Sequence, residues 1–292
     1  MNVQKCAVRG KRSGRQMAVL AALLLVLASI APAAQAVESA WGSDLYGGLF
    51  GPAPTGVLSS AVSFQVRVGG WLPQTRTNTK ADNPGESRVN FSNLSVDPKS
   101  VIPEADFSLT LLRTHKFRIG YWNSTQEGRT TLSNAITFDG TTFPSSTAVK
   151  STVELSVVKL GYEYVLDGEW LRLGFGFGAD FISTQEQIKQ QGGGLQGKLD
   201  DSLVVPFVSG EAAVLFAGWE IFANIDLIHY GSAYLFDGRA GISYGYDLPP
   251  GVATFSIGGG ADWRIWDVMV DNSKQNAEWT QQGLELFVFL RF

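Results

Sequence analysis

From residue 61 onward apolar side chains recur at every second position, the period of a strand whose successive residues point to opposite faces of a sheet. The last ten residues show it most fully. Leu284, Leu286, Val288, Leu290 and Phe292 fall on one face, and Gly283, Glu285 and Arg291 on the other, with Phe287 and Phe289 between them. Residues 171–181 repeat the pattern, Leu171, Leu173, Phe175, Phe177 and Phe181 alternating with Arg172, Gly174, Gly176, Gly178 and Asp180. The same reading predicts strands at about 61–69, 104–113, 116–124, 148–166, 202–217, 219–230, 235–247 and 252–267. That makes ten, with eight or twelve as alternatives if 125–147 holds a spanning hairpin or a weak strand is not one.

Within 148–166 the phase changes. Val153, Leu155 and Val157 share one parity, whereas Leu160, Tyr162 and Tyr164 share the other. A one-residue slip exchanges the two faces, so a β-bulge is predicted near Val157 and Val158. The joins alternate in length. Tight turns at Thr114–Lys116, Asp167–Glu169, Ala217–Trp219 and Leu248–Gly251 alternate with longer joins at 73–103, 125–147, 187–201 and 268–278, and a shorter one near 231–234.

Charge keeps to the polar parity. Arg67, Asp106, Arg118, Glu154, Arg172, Asp180, Glu211, Asp226, Arg239, Asp262, Arg264 and Glu285 are the residues expected to face a lumen, joined by Lys159, Glu163 and Glu220. A charge turned to lipid at mid-depth would cost about 2–4 kcal/mol, which explains the segregation. Both signs occur in comparable number, so either a salt-bridged core or a narrow wet pore satisfies them. A soluble barrel would alternate in the same way but needs charge over its exterior; here the polar faces are rich in Gly and Ser.

A terminal Phe292 preceded by this alternation resembles the closing strand and assembly signal of bacterial outer-membrane β-barrels. The resemblance implies an all-β, transmembrane, antiparallel up-and-down barrel in the cell outer membrane. It also implies contact with outer-membrane lipid and lipopolysaccharide, and recognition of the C-terminal strand by the barrel-assembly machinery. An even strand count with short turns on one side would place both termini in the periplasm.

The N-terminus agrees with export. Lys5, Arg9, Lys11, Arg12 and Arg15 precede an apolar run from Met17 to Ile30, and Ala34-Gln35-Ala36 supplies a small-x-small cleavage site. Residues 1–36 therefore read as a signal peptide, 37–60 as a Gly- and Pro-containing periplasmic lead-in, and 61–292 as the barrel. Residues 37–60 folding back into the lumen is the alternative. The single cysteine, Cys6, would leave with the signal. Residues 1–36 contain basic but no acidic side chains, so their removal leaves a product more acidic than the whole chain's net charge of −4. That argues against nucleic-acid binding. Charged residues make up 17% of the chain, below the ~25% of soluble domains.

Candidate chemistry is sparse. His115 falls in a predicted turn, and His229 and Ser232 are three apart, hence on opposite faces of a strand. Lipid A deacylase barrels carry the pair two apart, so the match fails. Omptin-like proteases share the strand number but use a His above the membrane beside acidic pairs. Asp262, Asp267 and Asp271 lack the pattern of a calcium loop, and Gly192-Gly193-Gly194 lacks a strand-to-helix context for phosphate. No catalytic residue, cofactor or metal ligand is expected. The expectation is a non-enzymatic, narrow porin-like channel or transport component. Its rival is a closed barrel whose external loops bind a ligand or partner, and a lipid or peptide hydrolase ranks last.

Overall fold

A computed structural model describes residues 62–81, 87, 89–96, 101–230, 233–247, 256–271 and 275–292. The expected signal peptide (1–36), lead-in (37–60), Ser232 and the Leu248–Gly251 turn lie outside these residues. Ten long strands make the fold: β1 (Val62–Ala81), β2 (Ile102–Leu111), β3 (His115–Thr131), β4 (Ala148–Asp167), β5 (Leu171–Gln190), β6 (Gln196–Phe216), β7 (Trp219–Tyr230), β8 (Ala233–Asp247), β9 (Ser256–Asp271) and β10 (Gln275–Arg291). Each neighbours the next in sequence, and β10 pairs antiparallel with β1 from Gln65↔Arg291 to Ala81↔Gln275. The sheet thus closes on itself as an up-and-down barrel.

Strand number follows the alternation, and the sharpest turns follow local chemistry. Ala217 and Gly218 both take positive φ between β6 and β7, the two-residue geometry that matches strand twist. Asp139-Gly140 does the same in a small hairpin, Ile136–Phe138 with Thr141–Phe143, which forms its own two-stranded sheet. Segment 125–147 therefore holds a hairpin that does not span, and the barrel keeps ten strands.

Around one end of the barrel the outer face is a continuous apolar belt. Phe177 (63% exposed), Val288 (57%), Val208 (55%) and Val204 (58%) represent it, with Trp219, Trp263, Tyr244 and Tyr246 among the exposed aromatics. On β5 the belt runs from Leu171 to Phe181. At ~3.3 Å per residue and a strand tilt of about 40° that span is about 25 Å tall, the height of the apolar band of a membrane-spanning barrel. In hydrocarbon each backbone polar group needs a partner within the protein, and closure of β10 onto β1 supplies it.

Beyond the belt the strands continue, and their polarity inverts. The β3–β4 register is unbroken from His115↔Tyr164 to Thr131↔Ala148, and β4–β5 runs unbroken from Val149↔Gln190 to Asp167↔Arg172. No bulge interrupts β4. Val153, Leu155 and Val157 point into the lumen and are buried, while Leu160, Tyr162 and Tyr164 point outward lower on the same strand. The phase change reports a change of surroundings: lipid lies outside the lower half, and water outside the upper. Glu154, expected in the lumen on the strength of the bulge, consequently sits on the outer face beside Thr125 and Gln185. The same inversion makes the joins shorter than expected, because β3 extends to Thr131 and β5 to Gln190 through residues that lack a lipid-facing stripe.

Phe177→Arg or Val288→Arg, at the middle of the belt, is expected to weaken folding into a bilayer by about 2–4 kcal/mol. Gln185→Arg, on the same wall above the belt, should change it by less than about 0.5 kcal/mol. Urea titration of folding into lipid vesicles measures both. Equal losses would contradict the placement of the belt.

Candidate functional site: an ionic lumen under a tryptophan seal

Inward-facing residues stack in tiers. Nearest the short turns, acids and bases from neighbouring and facing strands join in one ion-pair chain. Arg291 meets Glu220 at 3.6 Å, and Glu220 meets Arg172 at 3.0 Å. Arg172 reaches Glu211 at 3.6 Å, and Glu211 pairs with Lys116. Lys116 and Arg118 share Glu163 at 3.4 and 3.0 Å, and Arg118 binds Asp226 at 2.9 Å. Lys159 joins Asp226 to Asp237, the latter at 2.7 Å. Arg264 then grips Asp237 through Nε and Nη2, both at 2.9 Å, and also bonds Glu104. Glu104 holds Arg239, which approaches Glu285 at 3.6 Å and Asp106 at 3.4 Å. Arg67 closes the series, bonding Glu285 and Asp262 at 2.6 Å each.

Of the lumen candidates named from sequence, Arg67, Asp106, Arg118, Arg172, Asp180, Glu211, Asp226, Arg239, Asp262, Arg264 and Glu285 all face inward; Glu154 alone does not. Four partners are additional to the residues named as lumen-facing, the first being Arg291 from the polar parity of the last strand. Asp237 shares parity with Arg239 and Glu104 with Asp106, so the alternation contains both. Lys116 falls in the expected turn, but that turn ends at Thr114 and Lys116 belongs to β3. Asp180 is the outlier of the tier. It is fully buried, meets Lys159 only at 3.9 Å, and neither carboxylate oxygen is hydrogen-bonded among the described residues.

Among these charges lies a cavity of about 120 Å³, lined by Arg118, Lys159, Asp226, Asp237, Arg239 and Asn224 among others. Arg118 Nε and Asn224 Oδ1 have no hydrogen-bond partner among the described residues, so the space suits water or a very small polar molecule. Aromatic rings narrow it from the sides. Phe287 and Phe289 lie over the inner faces of Gly260 and Gly258, and Phe207 over Gly178. The Arg67 guanidinium stacks 3.7 Å from the centre of the Phe287 ring.

Above the ions the lumen is sealed. Trp71, Trp122 and Trp266 meet edge to face at 5.9 and 5.0 Å, each buried, and Arg264 caps Trp71 and Trp122 at 4.7 and 5.6 Å. Leu155, Val157, Ile182, Val205, Leu235, Val268 and Trp279 complete an apolar plug across the barrel. A thin polar tier follows. Glu186 accepts from Thr79 Oγ1 at 2.7 Å and Trp279 Nε1 at 3.1 Å, and Gln126 donates to Thr75 at 2.9 Å.

A second apolar cluster covers the β3–β6 side of the far end. Phe91 and Leu94, on the short 3₁₀ helix Phe91–Leu94, pack with Phe138 and Phe143 of the hairpin against Val149, Val153 and Ile188 of the wall. Gly128 and Gly197 sit where backbone at Ser95–Val96 and at Phe138 comes closest, and a side chain at either would collide with it.

The two histidines lie outside the lumen. His115 Nδ1 is 2.9 Å from the Tyr162 hydroxyl, and His229 packs beside Tyr234 on the exposed face of β7. No protein-family model matches the chain, and no curated protein matches it. Solved barrels do resemble it. The outer membrane protease OmpT from Escherichia coli is 8% identical, with 79% of this chain and 96% of that one covered at a TM-score of 0.46. The transport unit of the autotransporter AIDA-I from Escherichia coli is 11% identical, covering 82% and 92% at 0.32. Ail, the attachment invasion locus protein of Yersinia pestis, is 10% identical, covering 79% and 98% at 0.29. Likeness at this level says nothing of activity, site or partner.

Breaking the buried network should be costly. Arg264→Ala leaves Glu104 and Asp237 short of a cation and is expected to destabilise by about 3–5 kcal/mol, against less than about 1 kcal/mol for Lys198→Ala at an exterior pair. Guanidinium unfolding in detergent compares them. By the same method Glu186→Gln should be neutral or stabilising, because it keeps the accepting oxygen while removing a buried charge that no cation among the described residues balances. A loss above about 2 kcal/mol would show that the charge itself is needed.

Proposed function

We propose that the chain is an outer-membrane β-barrel closed to solute flow, non-enzymatic, and acting through the surface it presents outside the cell. The short-turn end would face the periplasm, and the capped end the exterior. The filling of the lumen carries this reading. An aqueous path must cross the plug in which Trp71, Trp122, Trp266 and Trp279 join buried Leu155, Val157, Ile182, Val205, Leu235 and Val268, an apolar layer that gives water few partners. The polar lumen face that suggested a porin-like channel is tied up in ion pairs, whose function is to make buried charge tolerable.

What favours a surface role is the cap itself. The hairpin and the 3₁₀ helix pack onto the wall strands rather than projecting freely, which makes that end a rigid platform for a partner. A hydrolase reading has little support. His115 and His229 both face outward at the flank, and the acids of the ion-pair chain from Glu220 to Asp262 are committed to cations. Assembly through the C-terminal strand is part of the same proposal, since Leu284, Leu286, Val288, Leu290 and Phe292 form an uninterrupted exposed stripe.

Refolded into planar bilayers, the protein is expected to show no discrete openings above the lipid baseline. Reproducible single-channel steps that disappear with heat-denatured samples would overturn the closed-barrel reading.

A further inference from the structure

Above the belt, the wall made by β3, β4 and β5 carries an unusual row. The register sets Arg129 opposite Lys150, and Lys150 opposite Lys189, all on the outer face. Directly opposed side chains on one face of a sheet have Cβ atoms only about 5 Å apart, and like charges there repel. Three neighbouring strands therefore hold three cations in line across roughly 10 Å. Only Lys150 is answered, by Glu127 at 2.7 Å. Arg129 and Lys189 are exposed and form no ion pair among the described residues. Lys198, one step lower on β6, is occupied by Asp200 at 2.7 Å. The row below holds Glu127, Thr152 and Gln187; Glu127 is taken up by Lys150, and the other two are neutral hydrogen-bonding groups.

The height of the row selects its ligand. Tyr121, Val158 and Phe181 are the top apolar residues of the belt on these strands, and Arg129, Lys150 and Lys189 each lie eight residues beyond them. At ~3.3 Å per residue and a tilt of about 40°, that is about 20 Å above the hydrocarbon. The side chains project sideways from the wall, toward whatever stands beside the barrel. In an outer membrane that neighbour is lipopolysaccharide, whose phosphorylated and carboxylated inner sugars rise from the leaflet. Its lipid A phosphates lie lower, at the level of the Ser156 and Ser183 row, where the wall has no cation.

We infer that Arg129, Lys150 and Lys189 form a lateral docking row for the anionic inner-core sugars of lipopolysaccharide. A phosphate bridging neighbouring strands replaces their mutual repulsion with charge-assisted hydrogen bonds, bidentate at the guanidinium. This rests on the outer-membrane placement but not on the closed lumen, so a conducting barrel would leave it standing.

The test uses the full chain refolded in detergent, titrated with purified lipopolysaccharide bearing a phosphorylated inner core and, separately, with lipid A. The variant is Arg129→Gln/Lys189→Gln, which keeps polar side chains at exposed positions; its melting without ligand verifies folding. Two surface cations correspond to about a thirtyfold weakening toward the core-bearing form, shrinking as salt is raised, with binding of lipid A unchanged. Equal affinity of variant and wild type for the core-bearing form would overturn the proposal. So would an equal loss toward lipid A, which would put the contact at the headgroup phosphates instead. If the variant melts early, Lys189→Gln alone, expected to lose about fivefold, keeps the same two outcomes.

Discussion

A peptide group left without a hydrogen-bond partner in hydrocarbon costs several kcal/mol, and almost everything in this molecule follows from avoiding that cost. A sheet can do so only by closing, and the β10–β1 ladder closes it over its full length. Closure makes every residue on the ten strands either an outer or an inner one. With lipid outside, the outer choice in the belt must be apolar, so each charge in that half of the chain is driven inward. Once inside, the charges lie too close to remain unpaired. The continuous series from Arg291 to Asp262 is the consequence of the closed sheet, and not a separate design.

The second consequence appears along the strand rather than around it. Where the wall leaves the membrane, water replaces lipid and the favoured arrangement reverses. β4 shows the reversal within one unbroken strand: Leu160, Tyr162 and Tyr164 face outward, whereas Val153, Leu155 and Val157 face inward. The upper barrel is therefore packed like a soluble protein, with its core inside the cylinder. Trp71, Trp122 and Trp266 stand at the boundary between the regimes. Their rings serve as the roof of the ionic tier, through Arg264, and as the floor of the apolar one. A lumen filled from two directions in this way leaves space near the turn end, where Asn224 and Arg118 line the remaining cavity.

The belt half of the fold is legible in the sequence because its signal is local. Residues 284–292 and 171–181 state their faces by parity alone, and the same parity places all but one of the named lumen residues. What escapes it has one physical origin. Parity says which residues share a face, but not which solvent that face meets. With lipid assumed outside everywhere, the inverted apolar stripe of β4 demands a bulge, and Glu154 is carried inward with it. The upper parts of β3 and β5, polar on the outside or rich in Thr and Gln, resemble loops for the same reason. The tryptophan seal is beyond reach of periodicity, since Trp71, Trp122, Trp266 and Trp279 come from four separate strands. Nothing in a single strand announces that they meet.

The reversal of solvent along one continuous strand is the claim on which belt, lumen and cap all rest, and nitroxide scanning of β4 in lipid vesicles tests it directly. Single labels at Val158, Leu160 and Tyr162 should be quenched by oxygen dissolved in lipid. Labels at Thr152, Glu154 and Ser156 should respond to a water-soluble relaxant, and those at Val153, Leu155 and Val157 to neither. Strong oxygen quenching at Val153, Leu155 and Val157 would mean that lipid covers that face as well, and would contradict both the inverted upper barrel and the sealed lumen.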